Sequence, residues 1–291
     1  MTIKDRSKSL LHFVLQVGRH YLRDRCFEAS GNLAFTTVLS IIPITIIVVS
    51  ILSKFNGISQ ATDKFQNFLF ENLVPSVAED VINYFPQLIS STDKITAWSL
   101  IFLLVTAVLL LRSIDDAINT IWQLDEKANK SIRLHYYILV IVIAPVLLGL
   151  SFSLTSIVNF SVYIKTIPVM HDAERYLLGV VPLLLSTVAF TLLYKFSPRK
   201  YVSIKNAGIG GFIAALLFYM AKYLFTIYIS SFPNYQIIYG ALSFFPIFLI
   251  WIYISWSIIL LGAEISHSLW EGENKKIKTM EEAKGKKLVE L

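Results

Sequence analysis

From Tyr223 to Ala263 the chain runs for 41 residues without one Asp, Glu, Lys, Arg or His. At about 1.5 Å per residue, a single helix of that length is roughly twice the ~30 Å hydrocarbon thickness of a bilayer, so the run must fold back on itself. The reversal is readable at Phe232-Pro233-Asn234, with Gly240 just beyond it. Proline removes a backbone donor and pushes the residue before it out of the helical region. Apolar runs of bilayer length recur along the chain, which marks an integral membrane protein. Composition agrees, because 55% of residues are hydrophobic and only 16% are charged. With a mean hydropathy of +0.62, too few charges remain to cover a soluble globule of 291 residues. The 14 Tyr and 5 Trp suit aromatic belts at two membrane interfaces.

A charged group at the bilayer centre costs several kcal/mol, so crossings are placed where charge disappears. Six such segments are expected, at about residues 30–53, 95–111, 136–159, 176–194, 207–229 and 240–263. The fold class is therefore all-α: a polytopic membrane protein with six transmembrane helices plus amphipathic surface helices. Pro43, Pro145, Pro182 and Pro246 fall inside these segments, and each removes a backbone hydrogen bond that a neighbouring group must replace at that depth. With the N-terminus inside, 20 of the 26 Lys and Arg lie in inner segments, which places both termini in the cytoplasm. The connection from Lys195 to Lys205, with four cations and no acid, is the firmest anchor. The first long apolar run has no small-residue cleavage site suited to secretion and reads as a retained span.

Residues 1–272 are expected to form one membrane domain, followed by a mobile charged cytoplasmic tail over 273–291. An interfacial helix over 8–25 is expected on the anionic cytoplasmic leaflet, with Leu10, Val14, Val17 and Tyr21 on one face and Arg19 and Arg23 elsewhere. A core-packing helix is the alternative. In the outer loop, 54–94, apolar residues recur at helical spacing around Pro75, as in two short capping helices. Ala207, Gly211 and Ala215 form a small-residue ridge at four-residue spacing, which lets another helix approach closely. No internal repeat is visible. The single cysteine, Cys26, excludes an intramolecular disulfide and any scaffold of metal-binding cysteines. A net charge of +6 is small for a nucleic-acid binder.

Several polar groups sit where hydrocarbon makes them expensive. Arg112, Asp115, Asp116 and Asn119 stand at offsets that share one helical face. They suit an internal charge network, a proton-linked switch or half of a metal site, with the structural reading favoured. Glu264 closes the long charge-free run at the inner end of the sixth span and needs a partner, for which Arg112 or an inner-loop cation is a candidate. Lys222 is about 16 residues into the fifth span, ~24 Å from its inner boundary. It either snorkels outward or meets an anionic substrate or headgroup. Asn32, Asn159, Asn234, Tyr235, Gln236 and Tyr239 supply uncharged polar groups, those from Asn234 to Tyr239 near the outer turn. The five histidines, at 12, 20, 135, 171 and 267, are scattered. No metal-ligand spacing, activated nucleophile or phosphate-binding glycine loop is visible, so neither a catalytic residue nor a cofactor is implied.

Three stretches, in order, carry a resemblance: Gly31-Asn32-Leu33-Ala34-Phe35 through Leu39-Ser40 and Pro43; Ser113-Ile114-Asp115 through Ala117 with Asn119-Thr120-Ile121-Trp122; and Phe232-Pro233-Asn234-Tyr235-Gln236 through Ile238-Tyr239-Gly240 to Leu261-Gly262-Ala263-Glu264-Ile265. Together they resemble the YihY/BrkB family of bacterial inner-membrane proteins. The resemblance implies a six-helix protein with cytoplasmic ends and a role in envelope integrity or in movement of lipid or amphipathic molecules. Older descriptions call such proteins a ribonuclease, ribonuclease BN. A metal-dependent nuclease needs clustered His and carboxylate ligands on a water-exposed platform, and no such cluster is legible here. The expected activity is transporter-like, on a lipid or amphipathic anion. A non-catalytic envelope scaffold is the alternative. Membrane lipids are the expected partners, nucleic acid is not, and the oligomeric state is not readable.

Overall fold

A computed structural model describes residues 3–53, 97–123, 170–198, 200–231 and 244–289. The described residues are all-helical and contain no strand. In chain order the helices are α1 (Ile3–Arg23), α2 (Cys26–Ser53), α3 (Ala97–Ile121), α4 (Met170–Phe196), α5 (Ile204–Ser231) and α6 (Phe244–Val289). The expected interfacial helix is α1. The first, second, fourth, fifth and sixth charge-free segments fall on α2 to α6. The expected crossing at 136–159 and the outer loop at 54–94 lie outside the described residues. Two stretches, Ile204–Ile229 and Phe245–Glu282, are long and apolar enough to cross a membrane, and Pro182–Phe196 is a shorter apolar helix.

Burial separates α5 from the core helix of a soluble protein. Only 17% of its most apolar window is buried, and Phe212, Leu216, Tyr219, Met220, Tyr223 and Leu224 point outward. A helix that is apolar all round and mostly uncovered needs a solvent as apolar as itself.

α3 runs on past the second span to Ile121, so the 112–119 segment is the continuing helix on which its four polar residues share a face. α6 continues through the charged end to Val289. Glu271 and Lys275 pair at 2.7 Å one turn apart, the i,i+4 arrangement that supports an exposed helix.

The chain divides into two compact units. One holds α1, the end of α3, α4, the first half of α5 and α6 from Ile259. Its helices approach through small residues: Gly210 lies against the Gly262 carbonyl and Ser266, and Gly211 against Thr187 and Thr191. Ala207, Ala214 and Ala215 are buried beside them. The expected ridge is real, and a second row, Gly210 and Ala214, meets Gly262 of α6. Tyr194 of α4 donates its hydroxyl to the Ile259 carbonyl at 2.7 Å. Ser203 caps α5, accepting from the Asn206 amide at 3.3 Å.

The other unit holds α2 from Phe27, α3 as far as Asp116, α5 from Leu217 and α6 as far as Ile258. Ala34 of α2 packs on Phe248 and Ile252 of α6, and Phe225 of α5 on Ile247 and Trp251. The Phe225 and Trp251 rings lie 4.9 Å apart. Polar contacts also link helices of this unit: Trp256 Nε1 of α6 donates to Thr37 Oγ1 of α2 at 3.0 Å, and Ser40 Oγ of α2 to the Thr106 carbonyl of α3 at 3.1 Å. In hydrocarbon, packing and interhelical hydrogen bonds of this kind take over from the hydrophobic effect as the source of helix association.

Candidate functional site

The end of α1 is set by a two-residue turn. The Asp24 amide donates to the His20 carbonyl at 2.8 Å, and Arg25 adopts φ of 52°, the left-handed conformation that closes many helices and usually falls to glycine. Arg23 is locked to Asp24 by two hydrogen bonds, at 2.8 and 3.1 Å. That pairing pushes the Arg23 guanidinium above its ordinary pKa. The turn delivers His20, at the last turn of α1, and Cys26, the first residue of α2, to the inner face of α6.

There they meet Glu264 and His267, which stand at i and i+3 and so project from one side of α6. Glu264 is completely buried and His267 is 4% exposed. One ligand atom each from His20, Glu264 and His267 lies within 4.8 Å of the others. The Cys26 thiol donates to Glu264 Oε1 at 3.6 Å. Glu264 Oε2 and His267 Nδ1 stand 3.9 Å apart, too far for a direct hydrogen bond, and neither has a hydrogen-bond partner among the described residues. His20 Nδ1 lies 3.4 Å from Ser268 Oγ. Rings close the site: Trp122 packs 5.5 Å and Trp270 5.9 Å from the His267 ring. Burial, and then the Arg23 charge, hold the His20 pKa below its ordinary value, so at neutral pH its imidazole is uncharged and offers a lone pair.

The walls of the cluster are tied by Lys200, whose Nζ donates to the Trp122 carbonyl at 2.8 Å and lies 5.2 Å above the Trp270 ring. Trp270 Nε1 donates in turn to the Tyr201 carbonyl at 2.8 Å. A cation capping the carbonyl end of α3 is favourable for the helix dipole.

A second feature adjoins the cluster along α1 and shares His20 with it. His12, Leu15, Gln16, Arg19, His20 and Arg23 line an open cleft of about 450 Å³. Beside it Leu11, Val14, Leu15 and Leu22 form a stripe of exposed apolar side chains, each more than half exposed. Val17 and Tyr21 are buried, and Gln16 donates to Glu271 of α6 at 3.4 Å. α1 therefore both packs on α6 and presents a separate apolar face, combining the two readings its sequence allows.

Of the residues singled out from sequence, Glu264 alone enters the cluster. Its partners are Cys26, His20 and His267, residues read from sequence as isolated. Along α3, Asp115 and Asn119 are buried while Arg112 and Asp116 are exposed, so the four do not share one environment. Asp115, Asp116, Asn119 and Lys222 each keep at least one polar, ring or electrostatic contact. Lys222 is half-buried on α5, and Asn32 is exposed on α2. Asn159, Asn234, Tyr235, Gln236 and Tyr239 lie outside the described residues. The one sequence signal for the cluster is Glu264-Ile265-Ser266-His267, a carboxylate and an imidazole at the i,i+3 spacing that helical bundles use for inward-facing ligands.

Residues 17–286 match the family described as Virulence factor BrkB. The chain belongs to the BrkB family. Among BrkB-like relatives, it is 37% identical over 271 residues to a UPF0761 membrane protein of Aliivibrio fischeri strain MJ11, covering 93% of this chain and 87% of the relative. Similarity to a UPF0761 membrane protein of Vibrio vulnificus strain YJ016 is 35% over 274 residues, with 94% and 87% covered. A UPF0761 membrane protein of Legionella pneumophila strain Corby is 36% identical over 268 residues, or 91% of this chain, and the chain spans 64% of that relative's length. No solved structure matches. The match to relatives named as membrane proteins agrees with the outward-facing apolar helices described above: this BrkB-family chain is a membrane protein.

Proposed function

We propose that the protein is a multi-pass protein of the bacterial inner membrane, crossing six times with both termini in the cytoplasm, and that it binds or moves a lipid or other amphipathic anion without catalysing a reaction. The observation that carries this reading is the cleft on α1. Arg19 and Arg23 stand on its wall with His12 and His20, and the exposed stripe of Leu11, Val14, Leu15 and Leu22 runs alongside. A phosphate or carboxylate headgroup fits the guanidinium side, where charge-assisted bidentate hydrogen bonds are strongest. An acyl chain fits the apolar side. At the inner end Arg112, Asp115, Asp116 and Glu264 are the gating candidates, and Lys222 is the candidate at the outer mouth, with Asn32, Asn119, Asn234, Gln236 and Tyr239 as polar groups along the way.

Reconstitution into vesicles of zwitterionic lipid carrying a fluorescent anionic phospholipid tests the reading. Lipid exchange between leaflets is expected to exceed that of empty vesicles, and Arg19→Gln with Arg23→Gln is expected to slow it by on the order of tenfold, the loss of roughly one charge-assisted contact. Equal rates with and without protein overturn the transport reading. Lys222→Gln is expected to alter the dependence on headgroup charge, and unchanged behaviour removes Lys222 from the pathway. A scaffold reading draws on a different feature, the exposed Ile277 and Met280 on the far half of α6. It is favoured if deletion of residues 273–291 abolishes an envelope phenotype while lipid exchange persists.

A further inference from the structure

We propose that His20, Glu264 and His267 form a binding site for a divalent first-row transition-metal ion, with zinc the best match, and that the ion staples α1 to α6. The inference goes beyond the lipid reading and stands independently of it. Two imidazoles and a carboxylate are a ligand set suited to zinc. Their donor atoms already lie within 4.8 Å of one another. Around a tetrahedral zinc with bonds of ~2.1 Å, ligand atoms are roughly 3.4 Å apart. The Glu264 and His267 atoms at 3.9 Å are within a small side-chain adjustment of that spacing. His20 is half-buried and can close the remainder by rotation.

The second observation is electrostatic. Glu264 Oε2 and His267 Nδ1 are buried polar atoms with no hydrogen-bond partner among the described residues, and an unsatisfied buried group is costly to keep. The two atoms stand only 3.9 Å apart. Glu264 also feels the Asp24 carboxylate nearby, and a cation offsets that accumulation of negative charge. The surroundings orient the ligands as metal sites require. Cys26 holds Oε1, leaving Oε2 for the ion, and Ser268 Oγ beside His20 Nδ1 leaves Nε2. Trp122 and Trp270 flank His267 and keep water access low. Two ligands come from α6 and one from α1, so an ion held by all three ties the helices together, with a water completing the tetrahedron.

The full chain, purified in detergent without a polyhistidine tag and stripped with a chelator, is offered zinc, desalted, and analysed for metal by mass spectrometry. One zinc per chain is expected, with cobalt giving the visible bands of a tetrahedral ion and magnesium giving neither retention nor stabilisation. His20→Asn, the variant least exposed to folding failure because its side chain is half-exposed, is expected to weaken zinc binding by on the order of a hundredfold or more and to abolish the rise in melting temperature that zinc produces. Ser268→Ala is expected to weaken it on the order of tenfold. His12→Asn, on the same helix but away from Glu264, is expected to retain the ion fully. Zinc retained equally by His20→Asn and the unaltered protein, or no zinc above background in the unaltered protein, overturns the proposal. Glu264→Gln and His267→Asn, where they fold, are expected to behave as His20→Asn does, and retention of zinc by either counts against the ligand set.

Discussion

Gly262 has no room for a side chain. A methyl group there meets the Ala214 Cβ at 2.6 Å and the Tyr194 hydroxyl closer still, and one on Gly210 comes within 2.6 Å of the Gly262 carbonyl. The Gly210 neighbour is backbone, and at Gly262 the Tyr194 ring is fully buried and held by its hydrogen bond to the Ile259 carbonyl, so neither swings aside as an exposed flexible side chain does. Gly262→Val and Gly210→Val are therefore expected to destabilise the protein by roughly 1–3 kcal/mol each, the usual cost of overpacking, and more where helices must separate. Gly18 and Gly31 sit on helices where an added methyl group would meet nothing within 4 Å. Replacing either by alanine is expected to stabilise by about 0.5–1 kcal/mol, because helix-interior glycine carries only its entropic cost there. Melting temperatures in detergent separate the two pairs, and a stable Gly262→Val variant contradicts the close approach of α5 and α6. Glycines of similar sequence context thus have opposite expected effects, set by what each faces.

At the scale of elements, α1 behaves as a helix with two apolar sides. Val17 and Tyr21 are packed, while Leu11, Val14, Leu15 and Leu22 are uncovered. An uncovered stripe beside Arg19 and Arg23 is the pattern of a helix lying in a membrane interface. Cys26 is 1% exposed and is expected to resist maleimide until the protein is denatured. A cysteine introduced as Leu15→Cys is then the reactive position in the folded protein. A fluorophore attached there is expected to be quenched by brominated lipid, and one attached at Gln123, an exposed turn residue, markedly less. Equal quenching at the two positions removes the interfacial role of α1. The far end of α6 is helical as far as Val289. Its charged residues sustain a helix through spaced pairs such as Glu271 with Lys275, and Asn206 adds a tie from α5, donating to Glu273 at 2.7 Å.

At the scale of the whole molecule, the distribution of Lys and Arg is what supports the proposed orientation. Twenty of 26 fall in segments assigned to the inside, and moving such clusters across a membrane is opposed during insertion. Reporter fusions after Leu291 and within 195–205 are expected to score as cytoplasmic, and insertions within 54–94 and near Lys165 as periplasmic. A periplasmic score at Leu291 changes the number of crossings from even to odd. Loss of both Lys195 and Lys200 is expected to weaken the preference at that connection. Lys200 also caps the Trp122 carbonyl, so Lys195→Gln is the cleaner probe of orientation alone.

The sequence by itself determined the solvent and the elements. Charge-free length is a one-dimensional property, readable because hydrocarbon penalises charge wherever it occurs, and it located five of the described helices and the small-residue ridge at Ala207, Gly211 and Ala215. The far extent of α6 was less legible, because polar helix and polar loop share a composition when tertiary contacts supply the stability. The cluster was least legible of all. Glu264 advertised itself as a carboxylate at the end of an apolar run, but His20 and Ser268 are 248 positions apart and Cys26 and Glu264 are 238 apart. Spacing along a helix reveals Glu264 and His267 as neighbours. Only packing of α1 against α6, through Val17, Tyr21 and the turn at Asp24 and Arg25, brings the second imidazole to them, because that meeting depends on how side-chain surfaces fit and not on any local periodicity.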